Sequence, residues 1–418
     1  MITGTVYVIG AGLAGLSAAV ELAGRGIRVE IIETAPQPGG RCRSWFDPQI
    51  GDVIDNGNHL VLSGNHATFS YLRAIGAGDR LKGPDEARFI FCDVRSGERW
   101  TIAPNAGAVP WWIFSGNRRV PGTGALDYAK VARLLFANRG RRVADVITCG
   151  GVLWERLLRP LLLAALNSAP EEASAGLASA VLRETLARGG RYCLPRIATP
   201  NLAAAFIEPA LGFLAGKNTR VRLGERVRSL GLGNSHAAGL DLGDQHIDLS
   251  TDDRVILAVP SWIATSLVPY IDAPDQSSAI LNAHFRANAG SGAPGMIGVI
   301  GGTAEWVFAF PQRISVTVSG ADAIVDRERA ELAELLWGDV ARVHGLPLNL
   351  PPWQIVKEKR ATFRATPEQD ARRAHTQTRW QNLFLAGDWT ATGLPATIEG
   401  AIRSGQKAAR LAAGESVT

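Results

Sequence analysis

Two glycine turns, each accompanied by an acid, carry the clearest chemistry in this 418-residue sequence. The first is Gly10-Ala11-Gly12-Leu13-Ala14-Gly15, followed by Glu33. Gly10 permits a tight turn, and Gly12 lets backbone N–H groups approach a pyrophosphate. Leu13 and Ala14 belong to the turn, and the helix that follows it supplies partial positive charge at its N-terminus. Gly15 lets that helix pack close to the preceding strand. Glu33 can accept hydrogen bonds from both hydroxyls of an adenosine ribose, whereas a 2′-phosphate would meet its negative charge. The second turn, Gly387-Asp388, lies near the other end of the chain.

The elements needed to hold these residues are legible around them. Val6-Tyr7-Val8-Ile9 is a short β-branched run that reads as a buried parallel strand. Leu16 to Gly24 has helical spacing, and Arg28 to Ile32 reads as a second strand ending on Glu33. At the C-terminal end, Asn382 to Leu385 reads as a strand into the glycine turn. Pro395 then opens a helix whose first turn is Ala396-Thr397-Ile398-Glu399, with Gly400, Ala401, Ser404, Gly405 and Ala408 as a small-residue stripe.

Gly39-Gly40-Arg41 sharpens the reading, because a simple dinucleotide domain has no need of a second glycine turn with an arginine. With this segment the sequence resembles the flavin-containing amine oxidase and carotenoid desaturase superfamily. The resemblance implies FAD, with Gly40 and Arg41 near its phosphates and the Asp55-Asn56-Gly57 segment beside the flavin ring. It also places Asn58 in the cofactor site, the backbone at Val227 against the adenine, and Asp388 on the ribitol or phosphates. Thr397, Ile398 and Ala401 then present the last helix to the N1–C2=O edge of the ring, where negative charge gathers on reduction.

The whole chain further resembles the bacterial hydroxysqualene dehydroxylases. The residues that carry this are Asp55-Asn56-Gly57-Asn58-His59-Leu60, Arg159-Pro160-Leu161 with Ala165-Leu166-Asn167, Asn282-Ala283-His284-Phe285, Ala386-Gly387-Asp388-Trp389-Thr390 and Pro395 through Ala401. Many relatives carry Gln where this chain has Asn58, which leaves the role of that amide open. The family implies reduction of an allylic alcohol, hydroxysqualene, to squalene. His59 is the first candidate for the acid that assists hydroxide departure, since imidazole titrates near working pH. His284 is the second and Glu399 the third. Asn282 and His284 share one strand face, where either could orient the substrate oxygen or simply hold the sheet. Trp389 could steady an allylic cation with its ring face.

Other classes compete. An amine oxidase usually places a lysine near the flavin from a substrate-domain strand, yet no lysine occurs from Asn218 to Val356. A carotenoid-type desaturase would share fold and apolar tunnel but run oxidatively. A flavoprotein without catalysis is a third reading.

Composition sets bounds. Hydrophobic content of 46% and charged content of 20% suit a globular protein. Eleven Trp against five Tyr fits either an aromatic lining for a large apolar ligand or lineage habit. The net charge of +5, without basic runs interleaved with aromatics, argues against nucleic acid. Four scattered cysteines, Cys42, Cys92, Cys149 and Cys193, contain no C-x-x-C pair, so neither a metal site nor a disulfide framework is expected. The first strand begins too early for a signal peptide, and no run reaches the ~18 apolar residues of a membrane span. A cytoplasmic protein, peripheral on the membrane where an isoprenoid substrate resides, is the expectation, with an external electron donor for the flavin.

The fold class expected is α/β, a Rossmann-like FAD-binding domain interleaved with a substrate domain of mixed sheet plus helical insert. Residues 1–79, 216–262 and 375–418 form the first, and 80–215 with 263–374 the second. Helical stretches at Leu126–Asn138, Val152–Leu166, Glu171–Arg188 and Asn201–Leu214 make the cap. Pro110-Trp111-Trp112-Ile113-Phe114 is either core or an exposed lip for membrane contact or substrate entry.

Overall fold

The computed structural model describes residues 3–416. Its first sheet is parallel throughout and is assembled from distant parts of the chain: Thr5–Ile9, Arg28–Glu33, Arg220–Leu223, Arg254–Leu257 and Leu383–Leu385. In chain order these strands lie 3-2-1-4-5 across the sheet. The order reverses beside Thr5–Ile9, which opens a crevice at the carboxyl ends of the strands where α/β folds bind ligands. Val6, Val8, Val255 and Ile256 are fully buried: Val6, Val8 and Ile256 share a core with the helices on one face, and Val255 with Leu257 shares one with Leu230 and Leu240 of the small antiparallel sheet Ser229–Leu232, Ala237–Asp241 and His246–Asp248 on the other. The fold is of the α/β class.

Helices Leu13–Gly24 and Ile398–Ala412 pack tightly together over this sheet. Ser17 Oγ donates to the carbonyl of Ile402 at 3.2 Å, and a Cβ on Gly405 would lie 2.0 Å from the Ala14 carbonyl. The small-residue stripe therefore serves a helix contact. The last helix begins at Ile398, not at Pro395. Thr397 is its N-cap, with its hydroxyl accepting the Gly400 N–H at 3.0 Å, so the Ser/Thr cap decided the boundary over the proline.

The second sheet has seven strands in the order Trp353–Phe363, Ser277–Phe285, Ile314–Val318, Trp306–Ala309, Met296–Ile300, Phe89–Asp93 and Arg99–Ile102. All neighbours are antiparallel except Met296–Ile300 with Phe89–Asp93. Helix Arg329–His344 covers one face with Leu332, Leu336, Trp337 and Val340 buried.

The insert is more broken than the periodicity predicts. Ala125–Val131 is followed by a 3-10 turn at Ala132–Phe136, and two π turns, Trp154–Leu158 and Ala203–Ile207, precede α-helices Arg159–Leu166 and Glu208–Ala215. Both π turns run into a proline, Pro160 or Pro209, at the second position of the α-helix. Proline has no N–H and its ring clashes with the carbonyl four residues back. Widening the turn, so that Arg159 N–H reaches Trp154 and Glu208 N–H reaches Ala203, moves that carbonyl aside. The Trp-Trp-Ile-Phe cluster is a 3-10 turn that divides between both readings. Trp112 is buried, whereas Trp111 and Phe114 are exposed.

Candidate active site

One cavity of about 1410 Å³ runs from the crevice of the parallel sheet to the face of the mixed sheet. That exceeds the roughly 300–1,000 Å³ of ordinary small-molecule pockets. Its first lobe is lined by Gly10, Gly12, Leu13, Ala14 and Glu33 from the N-terminal turn, and by Gly40, Arg41, Gly57, Asn58 and Val227. Gly387, Asp388, Thr397, Ile398 and Ala401 line it from the C-terminal side. Gly15 does not line it. A Cβ there would lie 1.9 Å from the Gly10 carbonyl, so Gly15 acts through close packing of helix on turn.

The lobe is a cradle for an elongated phosphate-bearing group. Gly10 has φ +106°, and a side chain on it would strike the Ala258 carbonyl at 2.4 Å. Gly12 has nothing within 4 Å of where a Cβ would be, so backbone faces open space. Two helix N-termini converge: first-turn N–H groups have no intrahelical acceptor, and neither Gly12 nor Thr397 covers them fully. Arg41 and Asp388 form an ion pair at 2.7 Å, which joins the Gly39-Gly40 turn to the Gly387 turn. Arg41 also donates to the Ala361 carbonyl. Glu33 already accepts backbone N–H bonds from Ala11 at 2.7 Å and Ala35 at 2.8 Å. One bond on each carboxylate oxygen leaves capacity for a ligand hydroxyl.

The second lobe is apolar. Phe89, Phe91 and Ile102 line it from the mixed sheet, and Leu157, Leu161 and Ala165 from the helical insert. Where the lobes meet, polar residues form a connected wall. Thr317 Oγ1 donates to Asn282 Oδ1 at 2.8 Å and accepts from Asn58 Nδ2 at 3.2 Å. Asn282 Nδ2 donates to the Asn56 carbonyl at 3.1 Å. The side-chain oxygens of Asn56 and Asn58 have no partner among the described residues, although both are buried. Both oxygens are closed off from the cavity, so they are a cost carried by the wall itself. The glycine cradle, its two helix N-termini and the Arg41–Asp388 pair fit a large bound cofactor.

The candidate acids separate here. His59 lines the cavity, and its ring makes no hydrogen bond to the described residues. Burial, assisted by the Arg41 charge, pushes it down to about 4, so the ring is neutral at working pH instead of titrating there as expected. His284 does not reach the cavity. It is fully buried, donating from Nε2 to the Asp55 carbonyl at 3.0 Å and accepting at Nδ1 from Ser315 at 2.8 Å. Asn282 and His284 do share a face, but they pair across the sheet with Thr317 and Ser315, and only Asn282 borders the cavity. Glu399 borders the cavity, with its carboxylate engaged elsewhere. Its carboxylate accepts from the N–H groups of Ala67 and Thr68 and the Thr68 hydroxyl, and it pairs with Arg403 at 2.7 Å. It caps the helix His66–Ala74. Trp389 lines the cavity with Nε1 donating to the Val259 carbonyl at 2.8 Å.

His284 gives a pH prediction. Burial of the ring, with the Arg313 charge nearby, pushes it down to about 3, while the unfolded chain protonates near 6.5. The folded state then binds fewer protons, so this stability is present above pH 6.5 and is lost as pH falls. Between pH 6.5 and 5 the loss is about 1.6 kcal/mol. Denaturant titrations at both pH values should show wild type losing that much more stability than His284→Gln.

Two groups important to the site carry no sequence signal. Thr317 sits in an ordinary alternating strand, Ile314-Ser315-Val316-Thr317-Val318. Arg373 is buried against the loop that bears Trp389, donating to the carbonyls of Asp388 at 3.0 Å, Trp389 at 3.4 Å and Thr390, and pairing with buried Asp370 at 3.1 Å.

Comparison with known proteins converges on one family. The sequence model described as flavin containing amine oxidoreductase matches residues 13–413. Hydroxysqualene dehydroxylase of Rhodopseudomonas palustris is 50% identical over 97% of this chain and 98% of its own length. That of Sinorhizobium fredii is 50% identical over 99% of both. Among solved structures, cyclohexylamine oxidase from Brevibacterium oxydans superposes with a TM-score of 0.71 at 16% identity, covering 98% of this chain and 99% of that one. At that identity the likeness speaks for the fold.

Proposed function

The chain belongs to the flavin-containing amine oxidoreductase family and, within it, to the hydroxysqualene dehydroxylases, and on that basis we propose that it reduces hydroxysqualene to squalene. It is an FAD-dependent oxidoreductase. The observation that carries the substrate assignment is the continuity of the dinucleotide cradle with a long apolar lobe. Burying a thirty-carbon chain there gains of order 0.8 kcal/mol per CH₂. An amine substrate is not favoured, because no lysine lines the cavity among the described residues.

When bound and reduced, FAD supplies the hydride that replaces the departing hydroxyl. The chain's own residues do the rest. Gly10, Gly12, Leu13 and Ala14 would hold the pyrophosphate, Glu33 the ribose, and the Arg41–Asp388 pair the middle of the cofactor. The N-terminus of Ile398–Ala412 would stabilise negative charge that gathers on the reduced ring. At the junction, the Asn58–Thr317–Asn282 wall positions the substrate oxygen. His59, neutral, donates a hydrogen bond that strengthens as charge develops on that oxygen. The C–O bond breaks, the oxygen leaves as water after taking a proton from solvent through this network, and the allylic carbon becomes cationic. Trp389, fixed by the bond to Val259 and bordering the cavity, steadies it through its ring. The helical insert excludes bulk water from the cation.

Thr317→Val tests the wall with little change of shape. It leaves the Asn58 amide only the long bond to the Val316 carbonyl at 3.5 Å and should lower turnover about tenfold or more while FAD is retained. Unchanged turnover would remove the wall from the mechanism. The reading as a whole is tested by incubating the flavoprotein with hydroxysqualene and a chemical reductant and analysing the extract. Squalene should accumulate, and its absence would refute the assignment. No helix among the described residues is long and apolar enough to cross a membrane. Access to a lipid-borne substrate calls for peripheral attachment to the membrane, and each turnover calls for an external electron donor.

A further inference from the structure

We propose that the segment from Gly107 to Gly151 is the membrane-docking surface and that it recognises anionic lipid. The inference rests on the reading of a lipid-borne substrate and adds to it a place and a headgroup chemistry.

The first observation is charge. This segment carries seven Lys/Arg and two Asp/Glu, an excess of five. The whole chain has 44 basic and 39 acidic residues, also an excess of five, so the remaining 37 of each sign cancel. Arg118, Arg119, Arg133 and Arg141 have no carboxylate within salt-bridge distance among the described residues. The positive charge is therefore concentrated on one stretch and left largely available.

The second observation is apolar exposure in the same stretch. Trp111 is 66% exposed, Phe114 64%, Leu126 79% and Phe136 87%. None of the residues of helix Ala125–Val131 is buried. The pieces belong together: the Trp112 ring stacks edge-on against Tyr128 at 5.1 Å, and Tyr128 OH accepts the Val120 N–H. Large aromatic and aliphatic side chains beside uncompensated arginines match an interface of acyl chains under negative headgroups. A protein partner would not call for apolar tips interspersed with excess charge of one sign, since interface cores are depleted in charge.

The third observation is the position of this surface beside the cavity. Asn105 accepts the Gly190 N–H at its carbonyl at 2.7 Å and the Trp112 N–H at its side chain at 3.1 Å. Gly190 closely follows Leu186, which lines the cavity. A chain released from a bilayer at the lip would have a short path inward.

Flotation of the purified flavoprotein with vesicles tests this without using turnover. Binding to phosphatidylcholine vesicles containing phosphatidylglycerol should exceed binding to phosphatidylcholine alone and should weaken with salt. Trp111→Ser/Phe114→Ser, and separately Lys130→Gln/Arg133→Gln/Arg141→Gln, should each reduce binding about tenfold or more. FAD content and turnover of detergent-dispersed hydroxysqualene should stay at the wild-type level, which keeps this result separate from the substrate assignment. Equal binding to both vesicle types, binding to neither, or unaltered binding by the variants would overturn the proposal. So would an oligomer that the apolar variant dissociates and that does not float.

Discussion

Replacing Arg373 with leucine should cost about 3–5 kcal/mol of stability, the cost of stranding a buried partner charge. The guanidinium is buried and holds the carbonyls of three successive residues, Asp388, Trp389 and Thr390. It stands 3.1 Å from Asp370, which is itself buried and whose second oxygen has no hydrogen-bond partner among the described residues. Removing the arginine leaves that carboxylate with only the half-exposed Arg139, 3.8 Å from its second oxygen, as counter-charge, and frees the loop that carries Asp388 and Trp389 to the cavity. Against a total of roughly 5–15 kcal/mol this is a large fraction. Denaturant unfolding should show it, accompanied by loss of bound FAD. The double variant Arg373→Leu/Asp370→Leu should recover part of the stability, because the stranded charge is gone, yet not the cofactor. Recovery of neither, or a negligible effect of the single change, would contradict this account.

Gly15→Ala should release the cofactor while leaving most of the fold. The added methyl would lie 1.9 Å from the Gly10 carbonyl oxygen and 3.1 Å from its carbon, both backbone atoms that cannot rotate away. The helix must back off from the turn, which costs about 1–3 kcal/mol as overpacking. The displacement falls on the N–H groups of the first turn, so retention of FAD should weaken roughly tenfold to hundredfold. Gly12→Ala is the control: nothing lies within 4 Å of its Cβ, so the folded apoprotein should tolerate it, and any loss should appear only in cofactor binding. Equal thermal unfolding of the two apoproteins would argue against the packing role of Gly15.

What could be read from sequence was what is local. The glycine turns, the strand ending on Glu33 and the C-terminal turn each declare themselves within a few residues, because phosphate cradles need particular backbone conformations. Side-chain alternation also placed Asn282 and His284 on one face. It could not say how deep each sits, since that depends on which residues of Ile314–Val318 stand opposite and on the loop through Asp55. His59 looked like a titrating acid because its type was visible and its surroundings were not; burial beside Arg41 makes it neutral. Glu399 is the converse case. Its helix was correctly anticipated, but its carboxylate is spent on backbone N–H groups from residues 67 and 68, over three hundred positions away. Arg373 had no chance of detection, since in sequence it is one of two adjacent arginines following an acid. Pro160 and Pro209 were visible, and their consequence, a π turn before each, follows from proline sterics once the helices are seen to continue through them.

The direction of the redox reaction is the central claim. The flavoprotein reduced anaerobically should be reoxidised on mixing with hydroxysqualene, followed by its absorbance, with one squalene formed per cofactor. The oxidised protein mixed with squalene or a longer polyene should remain oxidised. Persistence of the reduced spectrum with hydroxysqualene, together with bleaching of the oxidised protein by a polyene, would contradict the account and identify a desaturase.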